Sequence, residues 1–370
     1  MKRLVILILI SHFLFFSVSA EEKIEDKIRE EIGIEKAVET VPDTLKDKSD
    51  INFSPSATPS ANGMNASDIF KFLINNAFES IGEEVKFVFS VVAVLVISSL
   101  ARGFVEGFGK NGLEVAVHFG VSLITCSLLI VHINSALDIA VNYTEELSVF
   151  IKGLLPFIGS VSLINGEIST SAVTQALILS AVTFLQNVLI GIAIPISKVI
   201  LAFSVVGYVS NVPLGALSEF LTAFTTKLVT LSFGILCAVI YFQNTVSTVT
   251  DSLALRSVKL AAGSFIPIVG GFVSEASGTL ISGVRLVKST FGVFAICVLV
   301  YMTAIPIVNF AIRRAMLKLT GVIARFVSAD KEAKVIGELV GVYSILSAIM
   351  TASCCFFIFA ISVFIKSEVG

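Results

Sequence analysis

The 370-residue chain has no tryptophan and only three histidines, and only 15% of its residues are charged. Each scarcity excludes something. Without tryptophan, anchoring at a membrane boundary falls to tyrosine and basic side chains. His12, His118 and His132 are the whole histidine supply, with no HExxH motif, so a metal site is not expected. Cys126, Cys237, Cys297, Cys354 and Cys355 lie inside apolar runs and read as small buried hydrophobes, not as disulfide partners or ligands. Gly109-Lys110 lacks the glycine spacing and the following hydroxyl residue of a phosphate loop, which argues against ATP hydrolysis. The Asp pairs or Ser/His sets of an intramembrane protease are missing too. A net charge of −2 leaves no whole-chain footprint for nucleic acid. No cofactor is implied, and the chain reads as a non-enzyme.

Apolar sequence is what the chain has in abundance. It is 55% hydrophobic, with a mean hydropathy of +0.94. That composition, in long runs, specifies an all-α, polytopic helical membrane protein of six to eight spans. Residues 1–20 carry Lys2 and Arg3, an apolar core and Val18-Ser19-Ala20, the pattern of a cleaved signal peptide. Residues 21–66 form a polar exported tail and linker, in which Ile24, Ile28 and Ile32 recur at helical spacing. Residues 67–370 are the membrane domain, with His132–Leu147 read as a surface helix between spans.

The stretch Gln243–Gly283 interrupts the apolar runs on either side of it. Its first half reads as a surface helix bearing Asp251, Arg256 and Lys259. Its second half carries Pro267, Gly270, Gly271, Gly278 and Gly283 around Glu275, and reads as a broken or re-entrant helix. An internal echo supports this. Pro156 and Gly159 in LPFIGS correspond to Pro267 and Gly270 in IPIVGG, and AIPI at Pro195 recurs at Pro306, both with an offset of 111 residues. An internal duplication, about 115–215 and 221–325, follows as an expectation.

These residues are the candidate gating or partner-docking sites. Asp251, Arg256 and Lys259 read either as a docking face or as an interfacial helix meeting lipid phosphates. Glu275 lines a pathway if it lies at membrane depth, and sits among headgroups if it does not. Pro156, Gly159, Pro267, Gly270 and Gly271 mark close helix packing or a conduit-lining break. The positive-inside rule favours both Arg313–Lys334 and Arg256–Lys259 in the cytoplasm, which holds only if the Pro267 segment crosses completely; if that segment is re-entrant, one of the two clusters faces out.

The signal peptide, the polar tail, a YFQN turn at Tyr241–Asn244, the spacing of Asp251, Arg256 and Lys259, and IPIVGG followed by Ser274-Glu275-Ala276 coincide in one chain. It resembles the stage III sporulation protein AE family of endospore-forming bacteria, loosely in the tail and well from Asp68 to Ile365. The resemblance implies a subunit, export gate or platform, of a secretion-like channel in the mother-cell membrane that engulfs the forespore. It implies partners: a separate cytoplasmic ATPase, a forespore membrane protein across the intermembrane space, and membrane lipid. It offers no catalytic residues to carry over. The alternative is a self-sufficient secondary transporter of a small solute or ion, for which polar groups at midplane are scarce.

Overall fold

The protein was analysed as a computed structural model that describes residues 38–42, 66–107, 111–165, 167–210, 214–265 and 269–366. The expected signal peptide, most of the tail, and Pro267 lie outside the described residues. Among the described residues the chain is helical, without strands. The helices are α1 (Ala66–Gly107), α2 (Asn111–Ile164), α3 (Ile168–Val188), α4 (Ile194–Ser210), α5 (Gly215–Phe265), α6 (Val269–Phe326) and α7 (Asp330–Lys366). A π-helical turn, Leu189–Ala193, joins α3 to α4. Among the described residues, six helical stretches are long and apolar enough to cross a membrane: Ser80–Ala101, Phe119–Ile164, Ile168–Tyr208, Gly215–Ala254, Phe291–Phe326 and Asp330–Lys366.

Several expected interruptions are absent. The surface helix expected at His132–Leu147 is the interior of α2, which runs 54 residues without a break. Its buried positions explain this. Leu129, Ile133, Ala136, Ala140, Tyr143, Leu147, Phe150, Leu154, Phe157 and Val161 follow one another at alternating spacings of four and three. That is one continuous seam of a helix packed at a shallow crossing angle. Pro156 sits inside α2 and does not end it. The hydrogen bond it removes is outweighed by burial of its neighbours, with Phe157 against Phe291 at 3.9 Å between ring centroids. The YFQN turn is likewise helical, and α5 continues through it to Phe265.

From Val269 onward, α6 runs unbroken through Gly270, Gly271, Glu275, Gly278 and Gly283 into the span. Glycine lowers helix propensity by only about 1 kcal/mol per residue, which a long packed helix absorbs. The breaks therefore do not repeat at the 111-residue offset. The counterpart of the 165–167 turn lies inside α6, and Pro306 is helical where Pro195 follows the π turn. That π turn has a local cause. Proline has no N–H and its ring crowds the carbonyl four residues back. Widening the turn lets the Ile194 N–H reach Leu189 O, five residues back, just before Pro195.

Cross-helix contacts fix the register of the bundle. Ser135 meets Arg313, Tyr143 meets Thr303, and Phe157 meets Phe291, so α2 and α6 run antiparallel. Phe310 meets Tyr343 and Lys288 meets Phe364, so α6 and α7 do the same. Asp251 of α5 reaches the start of α3. Between these levels lie 228–250 of α5, 289–312 of α6 and 339–365 of α7, none with a charged residue. The α6 stretch is about 36 Å long at ~1.5 Å per residue, close to the hydrocarbon thickness of a bilayer. Residues 168–197 of α3 and α4 are also free of charge. The apolar window of α1 is displaced along the axis, toward the end that carries Arg314, Lys318 and Arg325.

Candidate functional site

An ionic cluster marks each end of the layer in which α5, α6 and α7 are free of charge. At one end Arg313 Nε lies 3.0 Å from Glu84 Oε1, and Glu84 Oε2 lies 3.4 Å from His132 Nε2, all three residues buried. Arg313 Nη1 also donates to Ser135 Oγ at 3.3 Å. The His132 ring stacks on Phe87, with centroids 3.8 Å apart and planes 7° from parallel, and Tyr343 donates to the His132 carbonyl at 3.4 Å. The cluster joins α1, α2, α6 and α7. At the other end Lys288 Nζ donates to both carboxylate oxygens of Glu167 at 3.2 Å. Its ammonium also lies 4.6 Å from the centre of the Phe364 ring.

Asp251 belongs to this second cluster. Its two oxygens accept the Ser169 and Thr170 N–H groups at 3.0 and 2.9 Å, the orphan donors of the first turn of α3. Glu167 precedes that turn and makes no side-chain cap, so a carboxylate from another helix supplies it. The positive end of the α3 dipole favours the negative charge there. Asp251 is thus buried, with both carboxylate oxygens engaged on α3. Arg256 and Lys259 lie further along α5, and Gly270, Gly271 and Glu275 lie on α6 before Lys288. Their side chains and Pro267 lie outside the described residues. A Cβ at Gly159 would meet only the amide end of the flexible Gln175 side chain, which can move aside.

Sequence reading did not single out the two ionic clusters, because their members are scattered over four helices. A groove of about 330 Å³ lined by Tyr241, Asn244, Thr245, Thr248, Val249, Val363 and Lys366 adjoins the second cluster. Between the clusters the packed interior is uncharged among the described residues, and its hydroxyls at Thr144, Ser148 and Ser353 bond to carbonyls of their own helices. Leu299, Val298, Phe356 and Phe357 are buried there, and Tyr143 donates to Thr303, whose own hydroxyl is used on Leu299 O. On α2 two amide side chains and three charged ones point outward at this depth. Asn134, Asp138, Asn142, Glu145 and Lys152 are exposed on one face of α2. A charged group at the centre of a bilayer costs about 2.5–3.5 kcal/mol on insertion scales. Beside that face, Val38 and Val41 of the tail are buried in the bundle, and a Cβ on Gly153 would collide with Thr40.

Long apolar helices stapled by buried ion pairs define a multi-pass α-helical membrane protein. Comparison with known proteins names the kind. The Stage III sporulation protein AE family matches residues 57–368, and the chain belongs to that family. The Stage III sporulation protein AE of Bacillus subtilis (strain 168) is 27% identical over 209 residues, 51% of this chain and 48% of that protein. The matched region thus spans about half the length of the curated relative. No solved structure matches the chain.

Proposed function

We propose that this protein is a non-enzymatic membrane subunit, an export gate or platform, of the secretion-like channel between mother cell and forespore. It resides in the mother-cell membrane around the forespore and works with a separate ATPase and a forespore membrane partner. Family membership supports the setting. The observation that carries the subunit role is the middle of the bundle, where the buried side chains are uncharged while Asp138, Glu145 and Lys152 of α2 face outward. A self-contained solute carrier holds its polar site between its own helices near midplane. A subunit of a larger assembly presents polar surface to what surrounds it.

Orientation follows from charge. Arg313, Arg314, Lys318, Arg325, Lys331 and Lys334 gather at one end, which the positive-inside rule assigns to the cytoplasm. The Glu167–Lys288 end then faces the intermembrane space, together with the tail. The helical backbone continues past that level, from Asp251 to Phe265 on α5 and from Val269 to Lys288 on α6. That extension carries Arg256, Lys259, Pro267, Gly270, Gly271 and Glu275, and it is where the forespore partner docks. The test is forespore-specific reporter activity in a sporulating host whose own copy is replaced by this chain or removed. Removal lowers the reporter and restoration recovers it. Transport of ions or small solutes by the purified chain alone in liposomes would replace this reading with the secondary transporter.

A further inference from the structure

We propose that the outward face of α2 from Asn134 to Lys152 lines a water-filled cavity that opens at the Glu167–Lys288 end of the bundle. The inference deepens the channel reading and rests on it. It names the wetted surface. Two independent observations carry it. The first is depth. Tyr143 is hydrogen-bonded to Thr303, in the interior of the charge-free stretch of α6, so its exposed neighbours Asn142 and Glu145 stand near mid-layer. Asp138 lies one turn from Ser135, the partner of Arg313 at one boundary. Lys152 has a flexible stem that reaches the other boundary. Asn142 and Glu145 have no such reach, and lipid offers them no hydrogen-bond partner.

The second observation is the tail segment. Val38–Thr40 makes a single turn, and the chain is irregular at Val41 and Pro42. Thr40 touches α2 at Gly153, one turn closer to mid-layer than Phe157, whose partner Phe291 is three residues from Lys288. Glu39 in the same turn is exposed. Irregular backbone at membrane depth is tolerated only inside protein or beside water. The exposed Glu39 brings a further ionisable side chain to this side of α2, next to the face of Asn142 and Glu145. The cavity takes water, hydrated ions and polar chain rather than acyl tails.

The test is thiol accessibility in membranes from sporulating cells. With the five native cysteines replaced by alanine, single cysteines are placed at Asn142 and Glu145. Val239 on α5 and Val300 on α6, exposed apolar positions at similar depth, serve as lipid-facing controls. A permanently charged methanethiosulfonate reagent should modify N142C and E145C at least tenfold faster than V239C and V300C. Rates equal to the controls would overturn the proposal, whether lipid or another protein surface covers the face. Should the cysteine-free background fail to accumulate, E145L in the otherwise native chain decides the matter. In nanodiscs a lipid-facing leucine raises the melting temperature, which would refute the cavity, while a wetted one leaves it unchanged or lowers it. Labelling reads wetting and the forespore reporter reads channel function, so the two proposals fail separately.

Discussion

Asp251 was selected from sequence as one corner of a docking face, and the structure gives it a different task. Its carboxylate caps α3 from a neighbouring helix. Asp251→Ala strands one buried and one half-buried N–H donor and should cost about 1–2 kcal/mol, read as a fall of several degrees in detergent melting temperature. Asp251→Asn keeps an oxygen acceptor and should recover at least half of that. Were both variants stable as wild type yet unable to capture partners, the docking reading would return. The Glu167–Lys288 pair makes a sharper test, because a buried ion pair and its halves behave differently. Lys288→Met removes the cation from a buried carboxylate and should cost about 3–5 kcal/mol, whereas Glu167→Gln with Lys288→Met should be far milder. A double-mutant cycle on thermal unfolding measures the difference. These contacts were not legible beforehand, since sequence spacing carries no information about partners 121 residues apart, as Lys288 and Glu167 are.

At the scale of elements, the turn between α6 and α7 shows local chemistry acting cleanly. Ser328 has φ of 57°, and the Ala329 N–H closes the end of α6 onto Ala324 O at 2.9 Å. Glycine is the usual residue for that left-handed position, because any side chain there crowds the backbone. Ser328→Gly should therefore raise stability by roughly 0.5–1 kcal/mol, seen as a small increase in melting temperature with activity unchanged. The other element boundaries separate what was readable from what was not. Helix type and membrane class followed directly from composition. The continuity of α2 was written in its alternating four-and-three spacing of Ile133, Ala136, Ala140, Tyr143 and Leu147. Asp138, Glu145 and Glu146 concealed it, because charge was taken to mean surface. They occupy the other faces of the same helix. Proline misled in the same way at Pro156, where packing overrides a lost hydrogen bond. It did not at Pro195, where the backbone widens to accommodate the ring.

For the molecule as a whole, the long interrupted stretch around Pro267 was legible as unusual, but its form was not. Its two halves are the far ends of α5 and α6, which approach the same staple through Asp251 and Lys288 and continue beyond it. Composition gave no sign of this, because a helix end past the membrane and a surface helix have the same amphipathic sequence. The arrangement sets up a final prediction. Gly270 and Gly271 lie at the start of α6, beyond the ion pair and outside the charge-free layer, so insertion does not depend on them. Gly270→Leu and Gly271→Leu should leave membrane levels near wild type, because the six apolar stretches are untouched. They should lower the forespore reporter about tenfold, equivalent to roughly 1.4 kcal/mol of lost coupling. The cause would be bulk at a surface where small residues let backbones approach closely. Alanine at either position adds one methyl and should be tolerated better, while Ala261→Leu on α5 serves as the control for added bulk alone. Equal loss in the control would mean that the extension is sensitive only to its own folding. Normal reporter activity in both glycine variants, at normal membrane levels, would remove this end of the bundle from partner docking and leave the α2 face as the surface through which the protein acts.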